Sequence, residues 1–232
     1  MGSDIISISP TRLRSDLYGF AADDAAPRTP LVISVLASLL ERAIARSERR
    51  GGGDAGSDDA RARVFECDRV LDMSISSFLE RIFRYARVSP PIYVVAYVYM
   101  DRLCRSNPGF RIVSTNVHRI LTTSIMVASK FVEDMNYPNS YFAKIGGLET
   151  QELNGLEVEL LFLMGFKLNV SVSVFESYCR HLEREVSFGG GYQIERWLMK
   201  ARIMCGGEMI TSRERNTTTA SSGELNQLAR VP

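Results

Sequence analysis

Ile75, Phe78, Leu79, Ile82, Phe83 and Ala86 recur at i, i+3, i+4, i+7, i+8 and i+11, one unbroken apolar stripe of helical period. Ser89-Pro90-Pro91 follows at once. Proline is accepted in the first turn of a helix and rejected from its interior, so this punctuation ends one helix and begins the next. In the next helix Val94, Val95, Val98 and Leu103 are joined by Tyr93, Tyr97 and Tyr99. It is apolar on more than one face, which predicts a central place in a bundle. Asn107-Pro108-Gly109 makes a turn, and a third helix runs from about Thr115 to Met135, patterned by Val117, Ile120, Leu121, Ile125, Val127, Ala128 and Phe131. Asn139 is placed to cap a short helix to Lys144, closed by Gly146-Gly147. Thr150 opens a helix with Leu153, Leu156, Leu160, Leu163 and Met164 on one face, and Val172 to Leu182 supports a sixth. No segment shows strand alternation, so the fold class is all-α.

The rest of the chain divides by composition. Residues 1–29 read as a flexible N-terminal segment. Residues 30–50 form an amphipathic helix (Leu31, Val35, Leu36, Leu39, Leu40, Ala43, Ile44) expected to pack on the outside of the bundle. Residues 51–63 are a Gly/Asp-rich loop, 64–185 the bundle domain, and 186–232 a largely disordered extension with a short helix over 193–204. Gly189-Gly190-Gly191-Tyr192 has no strand before it and reads as linker.

Lys plus Arg is 28 against 27 for Asp plus Glu, a formal net charge of +1. Gripping nucleic acid needs a basic excess, so no nucleic-acid partner is expected. The longest apolar run, Ile92 to Met100, stops far short of the ~20 residues that span a bilayer, so no membrane association is expected either. Cys67, Cys104, Cys179 and Cys205 are widely spaced, and His118 and His181 are the only histidines. No metal site and no cofactor are expected from them. The chain reads as intracellular, with reduced thiols. P-loop, nucleophile-elbow and H-E-x-x-H spacings are absent, and no catalytic residue is assigned. Cys104 reads as a buried structural thiol, and His118 as a helix-start residue that caps, touches a neighbour or is solvated. Ser9-Pro10 and Thr29-Pro30 have the minimal form of proline-directed phosphorylation sites.

Three charged residues lie close to apolar stripes. Lys130 precedes Phe131, Glu157 follows Leu156, and Asp101 follows Tyr97, Val98, Tyr99 and Met100. A charge so placed snorkels to water, pairs inside the protein, or meets a partner. Asp101 reads as a structural buried carboxylate, with Arg81, Arg84 and Arg102 as candidate partners.

These residues carry a family resemblance. Tyr99-Met100-Asp101-Arg102-Leu103 is similar to the Tyr-Ile-Asp-Arg-Phe segment of the cyclin box, and Ala128-Ser129-Lys130-Phe131-Val132-Glu133-Asp134 to its Ala-Ser-Lys-Phe-Glu-Glu segment. Leu153 through Phe166 resembles its fifth helix. Further stretches, Phe78 to Tyr85, Asn116 to Arg119, Tyr141 to Gly147 and Phe175 to Cys179, resemble the plant U-type or P-type cyclins, which are similar to the phosphate-pathway cyclins of yeast. The resemblance covers about residues 72–182. It implies a single five-helix cyclin-box bundle with an extra N-terminal helix and flexible tails. It also implies a nuclear and cytoplasmic regulator, linked to cell-cycle or nutrient and phosphate signalling. Such a regulator binds and activates a cyclin-dependent protein kinase, A-type or similar, and is monomeric without it.

By the same resemblance Lys130 and Glu157 hydrogen-bond the kinase main chain beside its regulatory helix, and Phe131, Leu161, Phe166 and Leu168 match apolar positions that pack on that helix. The substrate-docking Met-Arg-Ala-Ile-Leu motif of many cell-cycle cyclins falls on Leu71-Asp72-Met73-Ser74-Ile75, where an aspartate replaces the arginine. That puts docking there in doubt and removes the usual partner of Asp101. A competing reading is a cyclin-fold transcription or adaptor protein without kinase activation, against which the balanced charge weighs. An enzyme on an all-α bundle would need an acid–base cluster that the sequence does not display.

Overall fold

A computed structural model describes residues 9–18, 29–50, 63–67, 70–134 and 137–186. Among the described residues every regular element is a helix: α1 (Pro10–Tyr18), α2 (Leu31–Arg50), α3 (Ile75–Ala86), α4 (Pro90–Ser106), α5 (Val117–Val132), α6 (Asn139–Gly146), α7 (Thr150–Leu163) and α8 (Val172–Glu185). The all-α bundle is as expected. Most of the loop at 51–63, the linker at 189–192 and the helix expected over 193–204 lie outside the described residues.

The core is organised around α4 and α5. Every residue from Ile92 to Asp101 is buried, and so is every residue from Ile120 to Ser129. A helix buried all round must be covered on all sides, and α4 is covered by α1, α2, α5, α7 and α8. Gly146 makes the α5–α6 contact close. A Cβ there would lie 2.6 Å from the Thr122 side chain, so a larger residue requires Thr122 or one of the two helices to shift.

Helix starts follow local chemistry. Ser74 caps α3, its Oγ accepting from the Ser77 N–H at 3.1 Å. Ser89 occupies the N-cap of α4, but its hydroxyl is turned away from that helix and donates to Glu133 Oε1 at 2.7 Å. The α6 cap is Pro138 rather than Asn139, whose amide makes no capping bond.

Two expectations about the N-terminal region are corrected. The 30–50 helix is part of the core and not an outer appendage: Val32, Ile33, Leu36 and Leu40 are at most 3% exposed, and α2 packs on α3, α4 and α8. Residues 10–18, inside the segment expected to be flexible, form α1. Leu13 and Leu17, four apart, bury their side chains against the bundle. Arg14 makes a two-pronged ion pair with Glu183 of α8 (2.9–3.0 Å), and Asp16 Oδ2 accepts from the Leu31 N–H at 2.6 Å, capping α2.

Candidate partner-docking site

The last turn of α5 carries Lys130 and Phe131. It is anchored by Glu133, which accepts from the Ser89 N–H (2.9 Å), the Ser89 hydroxyl (2.7 Å) and the Ser129 hydroxyl (2.8 Å). Glu157 and Leu161 sit four residues apart on α7, on one side of that helix. The first residue of α6, Asn139, reaches both Lys130 and Glu157. Lys130 Nζ donates to Glu157 Oε1 at 2.5 Å and to Asn139 Oδ1 at 3.0 Å. Asn139 Nδ2 donates to Glu157 Oε2 at 2.7 Å and to Asn154 Oδ1 at 2.8 Å. The Lys130 and Glu157 side chains, 27 residues apart in sequence, are thus joined, 36% and 18% exposed.

Apolar groups surround this polar knot. Of the four apolar positions singled out, the fold leaves two at the surface: Phe131 is 52% and Phe166 59% exposed. Leu161 and Leu168 are half-buried and pack on the core. Val158 and Phe162, which sequence reasoning did not single out, are also exposed, and Phe162 meets Phe166 edge-on at 5.2 Å. The signal was present: Val158 and Phe162 are four apart and off the Leu153, Leu156, Leu160, Leu163 stripe, so α7 is apolar on two faces. A run of exposed aromatics beside a charged pair is the composition of an interaction surface.

The segment after α7 is held from below by the Tyr99–Leu103 stretch. Tyr99 Oη donates to the Leu168 carbonyl at 2.8 Å, and Arg102 donates to the carbonyls of Lys167 (2.8 Å) and Asn169 (3.0 Å). Gly165 and Phe166 both take left-handed backbone conformations, φ 57° and 58°. That costs an aromatic residue about 1 kcal/mol and turns its ring outward.

Asp101 is buried as expected, but by other partners. Tyr178 of α8 donates to its Oδ2, and Arg105, one turn on, pairs with the same oxygen at 2.8 Å. Arg102 is committed to the two carbonyls above, and Arg81 reaches the Lys144 carbonyl. Burial raises the Asp101 carboxyl above its ordinary value, opposed by Tyr178 and Arg105.

Other groups take quiet roles. Burial pushes the Cys104 thiol up to about 12, so it is held protonated. The His118 ring meets Phe78 edge-on at 4.7 Å, and burial lowers its basicity. Leu71 and Met73 line an open cleft of about 310 Å³ between α2 and the start of α3, with Glu41 and Glu48 on its α2 side. Among the described residues no cluster of His, Cys, Asp or Glu suits a metal ion, and no helix is long and apolar enough to cross a membrane.

A family model described as Cyclin matches residues 30–168. The chain is similar to Cyclin-U2-1 of Arabidopsis thaliana, 64% identical over 197 residues that cover 84% of this chain and 87% of the relative. It is similar to Cyclin-U2-2 of the same plant, 59% identical over 90% of this chain and 91% of the relative. It is also similar to Cyclin-P2-1 of Oryza sativa subsp. japonica, 58% identical over 93% of this chain and 100% of the relative.

Proposed function

The chain belongs to the cyclin family, whose members are regulatory proteins, and on that premise we propose that it binds and activates a cyclin-dependent protein kinase through the surface around Lys130 and Glu157. The observation that carries this reading is the joined Lys130–Glu157 pair set among exposed Phe131, Phe162 and Phe166. Phosphoryl transfer needs a lysine–glutamate pair within the kinase, and that glutamate rides on a movable helix. A partner that binds the inward position of that helix better than the outward one shifts the kinase toward its active state. Phe131, Phe162 and Phe166 supply apolar area for that binding, and the charged pair sets the angle of approach. An interface of about 1,600 Å² in total is expected. Cell division or nutrient signalling, in nucleus and cytoplasm, is the setting that goes with this reading.

The test is phosphorylation of a generic protein substrate by an A-type cyclin-dependent kinase, alone and with the chain added. Enhancement, lost when Lys130→Glu is combined with Glu157→Lys, supports the proposal. The exchange keeps an internal ion pair but reverses which side of it donates. Binding without enhancement would favour an adaptor role, and enhancement that survives the exchange would place the docking site elsewhere.

A further inference from the structure

Asn139 is the residue between the two charges. It stands at the first position of α6, yet its amide caps nothing. All three polar contacts of that side chain go to Lys130, Glu157 and Asn154. The orientation of the amide is determined by its neighbours. Its NH₂ lies between two acceptors, Glu157 Oε2 and Asn154 Oδ1, so its oxygen faces the Lys130 ammonium.

The consequence is a matter of donor and acceptor accounting. A lysine ammonium has three N–H donors. Two are engaged here, by Glu157 and by Asn139, which leaves one. Each Glu157 oxygen accepts one bond within the network and retains a lone pair. The assembled trio therefore offers one N–H and free carboxylate lone pairs side by side, the complement of a main-chain carbonyl and a main-chain N–H. Without Asn139, Lys130 would be tethered by Glu157 alone, on a flexible four-carbon stem with its other donors free to rotate. Ordering it would then have to happen during binding, at a cost in side-chain entropy.

We propose that Asn139, oriented by Asn154, is a positioning residue for partner binding: it holds Lys130 and Glu157 preassembled so that the pair presents one donor and one acceptor site to a partner backbone. This rests on the reading of Lys130 and Glu157 as the kinase-docking pair. It adds Asn139, whose position in the sequence suggests a helix cap, and Asn154, which the sequence does not single out.

The measurement is the affinity of the full chain for an A-type cyclin-dependent kinase, in a double-mutant cycle of Asn139→Ala and Lys130→Met with thermal melting of each variant. Asn139→Ala is expected to weaken binding roughly tenfold in the wild-type background, as for lost hydrogen bonds to charged groups, and to add little once Lys130 is methionine. Asn139→Asp has the same shape and keeps the acceptor, but loses both donors and sets a carboxylate beside Glu157. It should bind as weakly as Asn139→Ala or more so, which a packing role would not produce. Equal losses from Asn139→Ala in both backgrounds, no loss in either, or wild-type binding by Asn139→Asp would overturn the proposal while leaving the docking pair in place. Full-strength binding by Lys130→Met would overturn the docking pair and the proposal together.

Discussion

The chain contains two trios of the same chemistry: Asp101 with Arg105 and Tyr178, and Glu157 with Lys130 and Asn139. Each is a carboxylate, a cation and a neutral hydrogen-bonding group. The Asp101 side chain is 2% exposed and joins α4 to α8, whereas the Glu157 side chain is 18% exposed and opens beside bare aromatics. Burial decides the role. In the closed trio both partners of the carboxylate come from its own fold and converge on Oδ2, and removing a member leaves a buried polar group stranded. In the open trio one N–H donor and carboxylate lone pairs remain beside solvent, so removing a member should cost the free protein little and, on the proposed reading, the bound complex much.

The sharpest way to break this contrast is the Lys130→Glu, Glu157→Lys exchange. It should weaken kinase binding by roughly a hundredfold, the scale of a disrupted interfacial charge pair, while urea melts move by less than about 1 kcal/mol. A large loss of stability instead would make the open trio structural as well. Next in size, Asp101→Ala strands the Tyr178 hydroxyl and should lower unfolding free energy by about 2–3 kcal/mol in the same melts, with binding by the folded fraction unchanged.

Asp101→Asn sharpens the contrast through pH. The folded carboxyl titrates above its ordinary 3.8, so the fold binds that proton more tightly than the unfolded chain does. The stabilising contribution of this protonation is therefore complete below 3.8 and lost as pH rises through the raised value. Wild type should gain on Asp101→Asn as pH falls from 7 toward 4, measured as the difference between their melts. The smallest effect expected is at Phe166. Phe166→Asn relieves a left-handed aromatic and should leave the free chain equally stable or better by up to about 1 kcal/mol, with kinase binding several-fold weaker.

Much of the bundle was legible because its helices declare themselves locally. The stripe from Ile75 to Ala86 and the prolines at 90 and 91 need no tertiary information, since period and punctuation are properties of the chain itself. α1 was not legible: Leu13 and Leu17 stand among Arg12, Arg14 and Asp16, two apolar residues that make no stripe until a core lies beneath them. The partner of Asp101 was half legible. Arg105 stands at i+4, a spacing that brings side chains together on any helix, whereas Tyr178 is 77 residues away.

The amino-acid order alone determined the helical class, most helix limits and, by resemblance, the family and its candidate docking residues. Only the tertiary structure decided that α2 belongs to the core, that Phe131 and Phe166 face outward while Leu161 and Leu168 lean inward, and that Asn139 turns to a charged pair instead of its own helix. Period and punctuation act over a few residues, whereas burial and hydrogen-bond partners depend on which segments meet across the bundle.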